Sequence, residues 1–318
     1  MESDNQLQQV VPEELHGSRL DVAAAKLFPN YSRSRLAEWI KSGRMLLDGQ
    51  CAKPRDKVMT DSLVLLTPEQ EKRVDWLAEP LPIDIIYEDE HLIVLNKPAG
   101  LVTHPAAGHA SGTLVNGLLS YAPEVSELPR GGIVHRLDKD TSGVMFAARS
   151  SLGHRSLVAQ LSDRSVTRVY SAVCRGYLTG GGTIDAPIGR HPASRTKMAV
   201  VEEGKPAITH YRIEQRFAHH THLKVHLESG RTHQIRVHLA WRKHPLIGDP
   251  VYAGRAVRPV GASHRLLSIL SDFRRQALHS QQLIFDHPVT GRRLDFSAPL
   301  PSDMSTLLSV LEVDDALP

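Results

Sequence analysis

Five ionisable side chains crowd into six positions between two apolar runs: His135, Arg136, Asp138, Lys139 and Asp140. Gly131, Gly132, Ile133 and Val134 stand before them, and Thr141, Ser142, Gly143 and the apolar run 144–148 follow. The pattern reads as strand, polar loop, strand. A turn that only reverses the chain needs Gly, Asn, Asp or Pro at set places, not an Arg, a Leu and two Asp residues. A carboxylate kept ionised in such a loop suits acid–base or nucleophilic work. The pair Asp138 and Asp140 admits the two-carboxyl chemistry that hydrolyses glycosidic bonds. The competing reading is a solvated charged loop, because loops are polar as a rule.

Other chemistries find less support. The chain holds 18 histidines, and His219, His220, His222 and His226 lie close in sequence, followed by His233 and His238. No HExxH pattern occurs, a spacing of five misaligns His233 and His238 on a helix, and no cysteine or carboxylate completes a set, so no metal site is expected. Cys51 and Cys174 are far apart and form neither a CxxC pair nor a disulfide framework. The triple glycine 180–182 lacks the helix and Lys-Ser/Thr pair of a phosphate loop. The 318 residues suffice for one large domain and one small one. A formal charge of +3 is mildly basic, compatible with an RNA partner but too weak to argue for one. The acidic start is unlike an export leader, and no apolar run approaches the ~20 residues of a membrane helix. A cytoplasmic protein is expected.

Residues 1–16 carry four acids and no Lys or Arg, and are expected to fray. From Gly17 to Thr60, nine Lys or Arg stand against four acids. Ser18 and Ser32 are placed to cap two short helices, stopped by Pro29 and Gly43. Residues 45–47 and 63–66 read as strands, the first closed by the Asp48-Gly49 turn. Residues 68–81, charged and bracketed by prolines, read as a linker. Residues 83–87 and 92–95 read as a hairpin with an acidic turn, and 113–121 as a short helix. Ser150 or Ser151 caps a helix through Gln160. Residues 167–174 form a strand with Arg168, Tyr170 and Ala172 on one face. Arg190, His191, Arg195 and Lys197 make a basic loop. The alternation of 223–228 ends at Ser229-Gly230, and Thr232 caps a helix containing Ile235 and Leu239, which sets Arg231 at the corner. Residues 276–285 and 294–298 are strand material, 303–311 a last helix, and the acidic tail is loose.

The order His135-Arg136-Leu137-Asp138-Lys139-Asp140-Thr141-Ser142-Gly143 resembles the signature of the large-subunit type of RNA pseudouridine synthases. Residues 96–105 resemble that family's first motif, Arg168 with Tyr170 its second, and 223–239 its third. The resemblance implies an α+β fold: a catalytic domain built on a mainly antiparallel mixed sheet, with a small S4-like RNA-binding module at the N-terminus. It divides the chain into a flexible 1–16, a module 17–75, a linker 76–82, a catalytic domain 83–312 and a tail 313–318. It implies that Asp138 is the catalytic carboxylate and Arg231 its ion-pair partner. Tyr170 would stack on the base and assist the proton leaving carbon, and Asp140 would support the loop or pair with Arg136. His135, Arg136, Leu137 and Ile235 would contact the everted nucleotide. Arg33, Arg35 and Lys41 of the module, with Arg190 and Arg195, would contact RNA. The reaction is redox-neutral, so no cofactor or metal is implied. The expected partner is 23S rRNA of the large ribosomal subunit or its precursor, and the expected state is a monomer. Residues 29–35 and 248–252 resemble members acting on a large-subunit hairpin, helix 69. The alternatives are the same chemistry on other rRNA or tRNA uridines, or a non-catalytic RNA-binding assembly protein.

Overall fold

The computed structural model describes residues 6–29, 31, 33–68, 76–105, 111–254 and 257–315, the side chains of Ser34 and Arg195 excepted. The expected cap Ser32 lies outside the described residues. The chain divides into two compact units, 1–75 and 76–318.

The first unit contains β1 (Leu7–Val10), α1 (Leu20–Leu27), α2 (Arg33–Lys41), β2 (Met45–Leu47), β3 (Gln50–Cys51) and β4 (Leu63–Leu66). Its strands run in the order β1-β4-β2-β3, with antiparallel pairings. Leu20, Leu36, Trp39, Ile40, Met45, Val64 and Leu66 share its core. Asp48 and Gly49 both take positive φ, as the tight β2–β3 turn requires. Two expectations are corrected. Residues 7–10 do not fray: paired along β4, their backbone groups find partners that their polar side chains do not advertise. Ser18 does not cap α1, because its hydroxyl donates back to the Leu15 carbonyl and Arg19 holds the cap position.

The second unit is built on a nine-stranded sheet, counted among the described residues. Its elements are β5 (Asp84–Glu88), β6 (Leu92–Lys97), α3 (Leu114–Tyr121), β7 (Ser142–Ala148), α4 (Ser151–Ser162), β8 (Thr167–Arg175), β9 (Gly182–Asp185), β10 (Ile188–His191), β11 (Ser194–Val200), β12 (Ile208–Arg216), β13 (His220–Leu227), α5 (Gln234–Trp241), α6 (His264–Asp272), β14 (Leu278–Asp286), β15 (Arg293–Ser297) and α7 (Ser302–Asp315). The sheet order is β5-β6-β7-β14-β8-β13-β12-β9, with β15 also on β14. Every pairing is antiparallel except β7 with β14. All seven residues of β7 are buried, so it reads as a continuous apolar run. The parallel contact is tight. A Cβ on Gly143, at φ +114°, would lie 2.1 Å from the Ser280 carbonyl oxygen, so the glycine that ends the charged loop is required by packing.

Three further expectations are revised. Residues 76–82 are not a free linker. Trp76 packs on the core, the Asn116 amide donates to the Leu77 carbonyl, and Glu79 N–H donates to the Asn116 carbonyl, which ties the segment to α3. The basic loop around Arg190 is the β10–β11 hairpin, closed by backbone pairing. The last helix continues to Asp315 because Met304, Leu307, Val310 and Leu311 bury one face.

Candidate active site

The loop carrying Asp138 is held through its carbonyls. Thr103 Oγ1 donates to the Leu137 carbonyl at 2.9 Å, and Thr141 N–H to that of Asp138 at 3.0 Å. Lys97 Nζ and Gly100 N–H both donate to the Lys139 carbonyl, and Arg275 donates to that of Asp140 at 3.2 Å. Four consecutive acceptors are thus fixed, three by neighbouring segments and that of Asp138 within the loop, which sets the loop before any substrate arrives. The expected pairing of Asp140 with Arg136 is absent among the described residues; Arg275 takes hold of Asp140 by its carbonyl instead.

Lys97 is fully buried and donates to the carbonyls of Pro98, Leu101 and Lys139, so it joins the 98–101 turn to the Asp138 loop. Burial pulls its pKa down to about 7, against the pull of Asp140 and Asp138. The ordinary lysine value is 10.5. Between those values the unfolded chain binds the extra proton, so this group makes stability rise with pH from about 7 to 10.5. Denaturant titrations across that range are expected to show the rise in the wild type and to lose its Lys97 share in Lys97→Met. The same variant is expected to lower turnover by about ten- to a hundredfold, because the loop is no longer clamped.

Asp138 carries its carboxylate into a cavity of about 760 Å3. Its Oδ2 accepts from Arg236 Nη1 at 2.9 Å. Arg236 in turn grips Asp249 with both prongs of its fork, Nε to Oδ2 at 2.7 Å and Nη2 to Oδ1 at 3.0 Å. The side chains of Arg236 and Asp249 are 5% and 0% exposed, and that of Asp138 is 17% exposed. Burial opposes the charge on Arg236, but the bonds and charges of Asp249 and Asp138 outweigh it and raise its pKa. Burial likewise opposes ionisation of Asp249, and Arg236 with the N–H groups of Val251 and Tyr252 reverses the sign. Asp138 therefore presents a carboxylate with one oxygen pinned; among the described residues its Oδ1 has no protein hydrogen bond.

The guanidinium expected beside Asp138 was that of Arg231, and this is corrected. Arg231 lines the cavity, but its Nε donates to the Pro206 carbonyl at 3.2 Å. The cause is where α5 begins. Thr232 does not cap it; the cap position is His233, in the left-handed region at φ 58°. The Gln234 amide holds this corner with four bonds: it accepts from Ser229 Oγ and Arg231 N–H, and donates to the Ile208 carbonyl and Thr209 Oγ1. Residues 234–239 are all buried, so Arg236 points into the protein and Arg231 stays at the rim. A charged residue flanked by Ile235 and Val237 signals a buried counter-ion, and that was the available clue. Asp249 had none, since Gly-Asp-Pro reads as a turn.

Tyr170 lines the same cavity from β8. Burial raises its pKa above the ordinary 10.0, so it is a neutral phenol at physiological pH. That favours stacking or ordering a water over acting as a base. Ile235, Leu137, His135 and Arg136 also line the cavity. His135 Nε2 accepts from Phe146 N–H at 3.0 Å, and burial with the nearby Arg168 pulls its pKa down to about 3, so the ring is neutral. Burial, Arg130 and Arg136 likewise take His104 down to about 4. His233, another residue the sequence left unassigned here, sets Nε2 at 3.8 Å from Asp138 Oδ2 while its Nδ1 meets Tyr252 OH at 2.8 Å. Six arginines and two carboxylates, Asp138 and Glu228, are among the described lining residues, so the cavity is cationic although the chain is barely so.

The outlying candidates fare differently. Arg33 is not a free cation: with Arg19 it is bonded to Asp21. Arg35 lies 5.2 Å from the Trp39 ring centroid, and Lys41 is exposed. Arg190 stands on β10, and the Arg195 side chain lies outside the described residues. Among the described residues, no three His, Cys, Asp or Glu side chains gather as a metal site, and no helix is long and apolar enough to cross a membrane.

Residues 91–241 match the RNA pseudouridylate synthase family, and 18–63 match the S4 domain. The chain is 55% identical over 304 residues to the ribosomal large subunit pseudouridine synthase D of Pseudomonas aeruginosa, covering 96% of this chain and 95% of the relative. It is 50% identical over 310 residues to the protein of the same name from Escherichia coli K12, covering 97% and 95%. A solved human structure, RNA pseudouridylate synthase domain containing 4, aligns over 72% of this chain and 93% of its own at a TM-score of 0.56 and 25% identity. With relatives this close along nearly its whole length, the chain belongs to the RNA pseudouridylate synthase family and carries an S4 domain ahead of the catalytic one.

Proposed function

We propose that the protein isomerises uridines of 23S rRNA, in the helix 69 hairpin of the large ribosomal subunit, in the cytoplasm. Asp138 is the catalytic carboxylate, Arg236 and Asp249 hold it, and Tyr170 stacks on the everted base. One observation carries this reading: a carboxylate pinned by a buried Arg236–Asp249 pair faces a cationic cavity of nucleotide size. The printed names of the relatives support the large-subunit target.

The reaction breaks the bond from N1 of uracil to C1′ of ribose, rotates the base and joins C5 to C1′. N1 gains a proton and C5 loses one, so atoms balance without an oxidant. Everting the nucleotide costs a few kcal/mol of stacking and pairing. Arg136, exposed at the cavity, and the cationic walls offset it through phosphates. The hydrolase reading built on Asp138 and Asp140 is weaker, because Asp140 does not line the cavity and so cannot stand across a sugar from Asp138.

The test uses large-subunit RNA tritiated at C5 of uracil. Isomerisation is expected to release the label to water in proportion to pseudouridine formed, with no free uracil. Free uracil instead of pseudouridine would establish hydrolysis. Binding without release would leave a non-catalytic assembly protein. Pseudouridine mapping in cells lacking the protein identifies the sites; loss at positions outside helix 69 alone would refute that target.

A further inference from the structure

We propose that Arg168 selects uracil by donating from its guanidinium to a ring carbonyl, an inference that rests on the reading that the uridine enters the cavity beside Tyr170. Arg168 and Tyr170 are two residues apart on β8, share its cavity face and both line the cavity. Arg168 is 7% exposed, yet its one side-chain hydrogen bond among the described residues runs from Nη2 to the Glu228 carbonyl at 3.3 Å. Its Nε is buried with no partner. A guanidinium has five N–H donors, and a buried donor left unmade is costly, so an acceptor is due here.

The neighbouring arginines are not in this position. Arg236 is engaged by two carboxylates and Arg164 by Glu228; Arg231 has a single carbonyl partner, as Arg168 does, but it is only half-buried, so water can serve its other donors. Space for the Arg168 head group is made by Gly230, where a Cβ would lie 2.8 Å from Nη1. Its lowering effect on His135 places its charge near that ring as well.

Depth decides what the acceptor is. Phosphates belong to the continuing strand and stay at the mouth, where Arg136 is exposed. A base edge is the part of an everted nucleotide that reaches a buried donor. Uracil places carbonyls at C2 and C4 on either side of N3–H. The half-turn that exchanges N1 for C5 also exchanges these carbonyls, so one fixed donor meets an acceptor before and after rotation. Cytosine carries an amino group at C4 and would set donor against donor in one of the two orientations.

The experiment compares hairpin RNAs carrying uridine, 2-thiouridine or 4-thiouridine at the target, scored by nucleoside chromatography. Sulfur is a poor acceptor, so in the wild type at least one thio-substitution is expected to lower kcat/KM by about tenfold or more. In Arg168→Met, activity on uridine falls comparably and the sulfur penalty disappears. Gly230→Ala, which displaces the head group without removing it, shrinks the penalty and keeps the test available should Arg168→Met fail to fold. Equal penalties in wild type and both variants, or no penalty in the wild type, overturn the proposal, since a structural arginine would slow all three RNAs alike. Asp138→Asn run on plain uridine separates the two failures: persistent turnover there refutes the active-site reading itself.

Discussion

Asp138→Asn is expected to lower tritium release by at least about a thousandfold, the scale on which enzymes lose a group that acts in the chemical step. The substitution keeps size and keeps an oxygen for Arg236 Nη1, and Asp249 still balances the buried guanidinium. The fold should therefore survive, and a thermal melt checks it. RNA affinity is expected to hold or to tighten slightly, because one of two carboxylates is removed from a cationic cavity. A filter-binding or fluorescence titration beside the release assay decides the matter. Turnover near wild type, or turnover and affinity falling together, would remove Asp138 from the chemistry.

The second large effect separates two arginines five positions apart. Arg236→Ala strips the counter-charge from Asp249, whose side chain is fully buried, and breaking such a pair costs about 3–5 kcal/mol. It also frees Asp138, so activity should fall by about a hundredfold or more even at temperatures where the variant is folded. Arg236→Lys is expected to be only a partial rescue, since an ammonium cannot reproduce the fork that spans two carboxylates. Arg231→Ala should leave the melt within about 1 kcal/mol of wild type and turnover within about tenfold, with weaker RNA binding at higher salt. Equal damage from Arg231→Ala and Arg236→Ala would return the ion-pair role to Arg231.

Alternation and punctuation made much of the large domain legible: the strand–loop–strand around Asp138, the Ser150 cap that accepts from Gly153 N–H, and β8 with Tyr170 facing inward. These depend on neighbours in sequence. The choice between Arg231 and Arg236 does not. It turns on Gln234, whose side chain gathers bonds from two segments, the 229–231 corner and the start of β12, and delays the helix. Asp249 acquires its role only when the 244–252 loop folds against α5. β1 was unreadable for a similar reason, because Leu7-Gln8-Gln9-Val10 has little apolar signal and becomes a strand through β4. Local pattern reports on elements, while the partner of a buried charge is set by which elements meet.

Asp138 precedes β7 and Tyr170 belongs to β8, and those two strands never touch: β14 lies between them in the sheet. The ribosome finishes β8 long before it begins β14. During synthesis the acid and the tyrosine have no shared wall, and nothing upstream can substitute for the missing strand. A newly made copy therefore lacks a complete isomerisation site until its far end has threaded into the middle of the sheet. Chains terminated before β14 lack the strand that joins the two halves of the site, so turnover requires translation past Asp286.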